Sequence, residues 1–66
     1  MILHRNNENT YLEKIGTTYI MCVNGWYSGA FGVSAIRKDA KEHGRNVNDE
    51  AIAFFKKIIG EENNEL

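Results

Sequence analysis

The chain has 66 residues, a formal net charge of −1 and a single cysteine, Cys22. We expect residues 1–66 to form one domain with a thin core, because a chain this short buries only about 60% of the surface that it exposes when unfolded. A single cysteine excludes an intramolecular disulfide, and the Cys and His residues lack zinc-site spacing, so we expect neither a metal nor a cofactor. A well-packed core or a homodimer then has to supply the stability.

The ends of the chain predict its location. The N-terminal residues contain no apolar run long enough for a signal peptide or a membrane span, and a lone thiol fits a reducing compartment. We therefore expect a cytoplasmic protein without membrane contact.

All eight Lys and Arg residues lie in residues 1–60 against six acids, whereas residues 61–66 hold three glutamates and are predicted to form a frayed acidic tail.

The first fifteen residues carry weak structural signals. Residues 4–10 are polar and rich in asparagine, which is typical of a turn or loop. A short leading strand over residues 2–4 is an alternative. Residues 11–15 are ambiguous between a strand and a helical turn.

Residues 17–23 and 26–33 predict a β-hairpin. The first segment is dense in β-branched and aromatic residues, and Asn24-Gly25 tolerates the positive φ angles of a type I′ turn. In a regular ladder, directly opposed residues share a face. One face then carries Tyr19, Met21, Val23 and Trp26. The other carries Ile20, Cys22, Tyr27 and Phe31. Because both faces are apolar, we expect helices on one and the N-terminal segment, a partner or a second copy on the other.

Gly29 and Gly32 interrupt the returning strand. A helix from residue 29 onward is disfavoured, because each glycine costs about 1 kcal/mol relative to alanine inside a helix. The apolar residues of this segment also scatter around the helical wheel. A β-bulge or a close backbone approach explains the two glycines better.

Two helices follow the hairpin. A short helix over residues 35–43 is predicted from Ser34 as N-cap and Gly44 after its end. A second helix over residues 49–59 is predicted from Asn48 as N-cap and from apolar residues within an arc of about 160°. Val47 and Ile52 have the spacing of a hydrophobic staple. The predicted fold class is α+β, with a hairpin or a small three-stranded sheet packed by both helices.

No motif in the chain is typical of catalysis. Cys22 in mid-strand is typical of a small buried hydrophobe, and His43 with Asp39 at i, i+4 lacks a third metal ligand. A domain this thin offers little room for a pocket that excludes water. We therefore predict that the chain is not an enzyme. An enzyme or ligand-binding subunit completed only by oligomerisation is the alternative left open.

The main prediction is a non-catalytic protein-interaction module. Its apolar hairpin exposes more surface than a short helix pair covers, so another protein or a second copy is the expected partner. In size and character the chain looks like the small accessory and inhibitor proteins of phages and mobile elements, a likeness that rests on no motif. The predicted partner-binding residues are Trp26, Tyr27, Tyr19 and Phe31.

The alternative function is nucleic-acid binding. Basic residues recur at i, i+4 and i+8 from residue 37, and on a helix that continued past Gly44 they would form a stripe that contacts phosphates. The hairpin aromatics would stack on bases. The near-neutral net charge argues against this function. The predicted nucleic-acid contacts are Arg37, Lys38, Lys41 and Arg45.

Overall fold

A computed structural model describes residues 1–61 and shows an antiparallel sheet of four strands followed by two helices. The strands lie in the order β1-β2-β3-β4, so each hydrogen-bonds with its neighbour in the sequence. The predicted α+β class is confirmed, but the sheet has four strands rather than the predicted two or three. The elements are β1 (Ile2–Asn7), β2 (Thr10–Ile15), β3 (Thr18–Val23), β4 (Trp26–Gly32), α1 (Val33–Glu42) and α2 (Val47–Ile59).

The first fifteen residues form the β1-β2 hairpin. The predicted loop over residues 4–10 is wrong for most of its length, because only Glu8 and Asn9 form the turn. The Asn7 Oδ1 atom accepts a hydrogen bond of 2.8 Å from the Asn9 N–H, which closes an Asx turn. β1 is an edge strand with mostly exposed residues, so its polar composition resembles that of a loop.

The β3-β4 hairpin turns at Asn24-Gly25 with φ angles of 54° and 83°, which confirms the predicted turn. The register shifts between the pairs Cys22↔Tyr27 and Met21↔Gly29. This shift is a β-bulge, and it confirms the bulge predicted from the glycines of the returning strand. A shift of one residue moves a side chain to the other face of a sheet. Phe31 therefore lies opposite Tyr19, with the ring centroids 5.2 Å apart. Its predicted place on the face of Ile20 is wrong.

α1 begins directly after β4, with Gly32 rather than Ser34 as its N-cap. The N–H of Val33, the first helical residue, donates to the Thr17 carbonyl at 3.0 Å. This bond joins the start of α1 to the β2-β3 turn. Gly44, with φ 67°, follows the end of α1 as predicted.

α2 begins two residues earlier than predicted, because Asn46 is its N-cap and accepts a bond of 2.8 Å from the Asp49 N–H. The predicted Val47–Ile52 staple is wrong, because the cap at Asn46 makes Val47 the first helical residue and not the residue before the cap. With Asn46 as the cap, the two staple positions are Arg45 and Glu50, and these residues form an ion pair at 3.2 Å. Gly60, with φ 78°, ends the helix as predicted.

The core lies between the two helices and one face of the sheet. Leu12, Tyr19 and Met21 supply the sheet side, and Ile36 and Phe55 supply the main helix side. Both helices lie on this one side, which leaves the opposite face of the sheet without a covering element in residues 1–61. No helix of the described chain is long and apolar enough to cross a membrane.

Candidate interaction surface

The uncovered side of the sheet, called the open face below, is defined by the strand register. Cross-strand neighbours share a face, so the pairings sort its residues into rows that run across the strands. Row one contains Arg5, Tyr11, Cys22 and Tyr27. Row two contains Ile2, Glu13, Ile20 and Ala30. A shorter third row contains Ile15 and Thr18.

The open face is apolar and exposed. Tyr27 and Ile15 are 72% and 56% exposed, and Ile2 is 38% exposed, while Ile20 and Cys22 are half-buried. An antiparallel sheet with one face in water normally places polar residues on that face. The composition of the open face is therefore typical of a surface that another molecule covers.

Two charged side chains, Arg5 and Glu13, lie on the open face, on β1 and β2, and the N-terminal ammonium of Met1 lies 3.6 Å from Glu13 Oε2. The Arg5 guanidinium stands 5.0 Å from the centroid of the Tyr11 ring and donates a 3.1 Å hydrogen bond to the Glu8 carbonyl. The half of the face on β3 and β4 carries no charge, because residues 15–36 contain no Asp, Glu, Lys or Arg.

Row one contains a pair of neighbouring hydroxyl and thiol groups. A hydrogen bond with Cys22 is the main cause that raises the pKa of Tyr11, and the electrostatic interaction with Cys22 acts in the same direction. The Tyr11 hydroxyl therefore stays neutral at physiological pH. The Cys22 Sγ atom lies 3.6 Å from the Asn9 carbonyl oxygen, and neither neighbour is a base that would activate the thiol.

The tip of the β3-β4 hairpin exposes two aromatic rings on opposite sides of the sheet. Trp26 pairs with Val23 on the helix side and is 78% exposed, whereas Tyr27 lies on the open face. The turn itself is anchored to the β1-β2 turn, because the Gly25 N–H donates to the Asn9 carbonyl at 2.8 Å. Two large aromatic side chains thus project from a braced turn.

The four predicted partner-binding residues do not share one surface. Trp26 and Tyr27 are exposed, but Tyr19 is completely buried and its hydroxyl donates to Asn48 Oδ1 at 2.8 Å. Phe31 is half-buried beneath the helices, edge-on to Phe54 with the centroids 5.2 Å apart. The bulge in β4 makes this division, since it sends Phe31 toward the core.

The predicted basic stripe is also divided. Arg37, Lys38 and Lys41 are exposed on α1, in the helix layer and away from the open face. Arg45 lies beyond the end of α1, and its Nη1 atom donates to Glu50 Oε1 at 3.2 Å. The helical path stops before Arg45, so the four residues do not form one stripe.

Glu50 is a buried carboxylate at the junction of the two helices. His43 Nδ1 lies 3.0 Å from its Oε1 atom, and this hydrogen bond is the main reason that the pKa of Glu50 is lowered, with smaller contributions from the charges of His43 and Arg45. A groove of about 410 Å³ adjoins this cluster. Residues 1–61 contain no group of three or more His, Cys, Asp or Glu side chains placed to hold a metal ion.

Sequence reasoning missed the β1 and β2 part of the open face. Tyr11, Glu13 and Ile15 recur at every second position, and this period of two is the signal that indicates one face of a strand. Gly16 follows directly, so the segment is too short for the pattern alone to exclude a helical turn. The Glu50 cluster was missed because its partners come from another element.

Comparison with protein-family models, with curated proteins and with solved structures found no match to this chain.

Proposed function

We propose that this chain is a non-catalytic protein-interaction module that binds a partner protein through the tip of the β3-β4 hairpin. The observation that supports this most directly is the exposure of Trp26 and Tyr27, 78% and 72%, on opposite faces of the sheet directly after the turn. Large aromatic residues that become buried on binding contribute much of the affinity of many protein interfaces.

The turn does not need these two rings for its own structure. Asn24 and Gly25 supply its positive φ angles, and hydrogen bonds to Asn9 and Thr10 hold it against the neighbouring hairpin. A turn that is already ordered loses little conformational entropy when a partner binds. The exposed rings and their rigid support together favour a binding role for the tip.

The absence of charged residues from the β3-β4 hairpin itself favours a protein over a nucleic acid. Binding to a phosphate backbone depends on cations, but residues 15–36 carry none. The exposed cations Arg37, Lys38 and Lys41 lie in the helix layer, and Arg45 is paired with Glu50. Nucleic-acid binding through α1 is the competing hypothesis.

The surroundings of the reactive groups support a non-catalytic role. Cys22 lies on the open face, whereas His4 and His43 lie on the helix side, where each pairs with a glutamate, Glu61 or Glu50. The thiol and the two imidazoles are therefore separated by the sheet. The proposal includes an accessory or inhibitory role in the cytoplasm, in keeping with the small size and the lone thiol.

Alanine substitution at the tip tests the proposed function. Wild-type chain and the Trp26→Ala variant are immobilised and used to purify binding proteins from the source cells, and the affinity for the recovered partner is then measured. We expect Trp26→Ala to weaken binding by about 30-fold or more. Ile58→Ala, a matched control at another exposed apolar side chain, should change affinity by less than about threefold. A folded Trp26→Ala/Tyr27→Ala variant with unchanged affinity contradicts the proposal.

A second measurement decides between the two classes of partner. Labelled single- and double-stranded DNA and RNA are titrated at two salt concentrations. We expect no binding at either concentration. Binding that falls steeply with salt and is lost in Arg37→Ala/Lys41→Ala would support the competing hypothesis.

A further inference from the structure

The open face has the composition of an interior layer. The Cα atoms span 32 × 29 × 16 Å, so the domain is a thin slab with one sheet layer and one helix layer. A sheet that packs on one side only is normally polar on its other side. Here the central strands place Ile20, Cys22 and Ile15 on the outer side instead.

We infer that the open face is the interface of a homodimer in which the sheets of two copies pack face to face. The dimer has four layers, helices outside and two sheets inside. This inference goes beyond the proposed function, because Trp26 lies on the opposite side of the sheet and stays exposed in the dimer, whereas Tyr27 lies in the dimer interface.

Row one and row two complement each other position by position, and this argues for a second copy as the occupant. In this dimer the two-fold axis lies in the interface, perpendicular to the strands and between the two rows. It places row one of one copy over row two of the other. The large Tyr27 side chain then lies over the small Ala30, and the Tyr11 hydroxyl lies over the Glu13 carboxylate. Arg5 lies one strand away from the same carboxylate, at a distance that a long side chain spans.

Burial of Glu13 is the main cost of this arrangement. A carboxylate removed from water requires hydrogen-bond donors or a countercharge. The row-over-row arrangement supplies both from the other copy, because the Tyr11 hydroxyl is a neutral donor and Arg5 is a cation. Within one chain the Met1 ammonium lies 3.6 Å from Glu13 Oε2, and an unrelated apolar surface would add no further donor or countercharge, whereas a phosphate backbone would repel the carboxylate.

The size of the face sets the expected affinity. Four strands about 4.8 Å apart and six residues long, at about 3.3 Å per residue, cover about 400 Å² of sheet plane. Standard stable interfaces bury about 800 Å² per partner. We therefore expect a dimer with a dissociation constant in the micromolar range.

The unmodified chain tests the interface first, by sedimentation equilibrium and by the reactivity of Cys22. With sheets about 10 Å apart and the rows offset by two residues, the two Cys22 Cα atoms lie about 12 Å apart, which exceeds the range of a disulfide, so oxidation should not link two copies. Because the dimer buries Cys22, its reaction with a maleimide should slow as the concentration of the chain rises. A chain that stays monomeric up to millimolar concentration, or whose Cys22 reactivity does not change on dimerisation, overturns the inference.

Charge substitutions then test the symmetry. Ile20→Lys and Ile20→Glu, each at the centre of the face, should raise the dissociation constant by at least about tenfold, and an equimolar mixture of the two should recover a heterodimer. Arg5→Glu and Glu13→Arg should each weaken the dimer, and the double variant should recover it. Ser34→Lys on α1 is the control and should dimerise like the wild type.

Two results separate this inference from the proposed function. Trp26→Ala should remain dimeric, and Ile20→Lys should remain folded by circular dichroism and still bind a partner protein through the hairpin tip. A dimer that persists in folded Ile20→Lys uses another surface and overturns the inference. Loss of partner binding in a dimeric Trp26→Ala supports the proposed function alone.

Discussion

The two faces of the sheet are built by the same four strands and are both apolar, yet they have opposite surroundings. The covered face carries Leu12 and Tyr19, which are fully buried beneath the helices. The open face carries Tyr27 and also Ile20, which directly follows Tyr19 in β3. No described element covers either side chain. Apolar composition alone therefore does not distinguish the core of this domain from its surface.

The comparison also applies to the polar groups. On the covered side, the Asn48 Oδ1 atom accepts hydrogen bonds from the Tyr19 hydroxyl at 2.8 Å and from Lys14 Nζ at 2.9 Å. On the open side, the Cys22 thiol donates to the Asn9 carbonyl at 3.6 Å. Buried polar groups require partners, and the covered face supplies them from α2, whereas the open face supplies them from within the sheet.

Truncation of one apolar side chain on each face gives the largest expected contrast. Leu12→Ala should lower the free energy of unfolding by about 2–5 kcal/mol, because it leaves a cavity in the core. Ile20→Ala should cost less than about 1 kcal/mol in the monomer, since its side chain is already partly in water. Urea denaturation at low micromolar protein concentration measures both values. Equal losses would mean that the open face is covered within a single chain.

A substitution at Gly29 tests the bulge that places Phe31 on the covered face. Gly29 has a φ of 149°, and a Cβ atom there would lie 3.3 Å from Met21 Cε. Gly29→Ala should therefore cost about 1–3 kcal/mol, measured by thermal unfolding. Ser28→Ala, next to it and exposed, is the control and should stay within about 0.5 kcal/mol of the wild type. Equal stability of the two variants would mean that the backbone relaxes freely at the bulge.

Removal of the Asn48 side-chain acceptor probes the polar part of the covered face. Asn48→Ala leaves the buried Tyr19 hydroxyl without its partner and should cost about 1–3 kcal/mol. Tyr19→Phe in the same background should recover part of the loss, since the unsatisfied hydroxyl is then absent. A double-mutant cycle by urea denaturation measures this coupling, and additive effects of the two substitutions would contradict it.

Acid should destabilise the helix side selectively. Hydrogen bonds lower the pKa of Glu50, through His43, and the pKa of Glu61, through Asn6 and to a smaller extent His4, below their usual value of 4.5. A carboxyl group with a lowered folded-state pKa stabilises the fold above its unfolded pKa and loses this contribution as pH falls. Stability should therefore decline from about pH 4.5 downward.

The control for this pH dependence is a neutral side chain at the same position. Glu50→Gln should flatten the stability profile below pH 4.5, measured by thermal unfolding across pH 3–7. A profile that keeps its full slope in Glu50→Gln would assign the acid sensitivity to other carboxylates.

Much of the fold is predictable because its signals are local. The β3-β4 turn follows from the two residues that accept positive φ, and α2 follows from its apolar period and from Gly60. The start of each helix is less predictable, since Ser34 and Asn48 are both good N-caps by type. Tertiary hydrogen bonds decided otherwise: the Val33 N–H bonds to Thr17, and Asn48 bonds to Tyr19 and Lys14.

The candidate site was predictable only in part. Trp26 and Tyr27 follow from their place beside the turn, but Tyr19 and Phe31 were grouped with them because a regular ladder was assumed. The first fifteen residues did not indicate half of the open face, because an edge strand of exposed polar residues resembles a loop.

The sequence by itself determined the α+β class, the hairpin at Asn24-Gly25 and the amphipathic α2, because turn chemistry and apolar period act over a few residues. Only the tertiary structure decided which apolar face of the hairpin is core. That choice depends on a one-residue bulge and on where the helices return to the sheet. Both depend on contacts between residues far apart in the chain, such as Phe31 with Tyr19 and Asn48 with Tyr19.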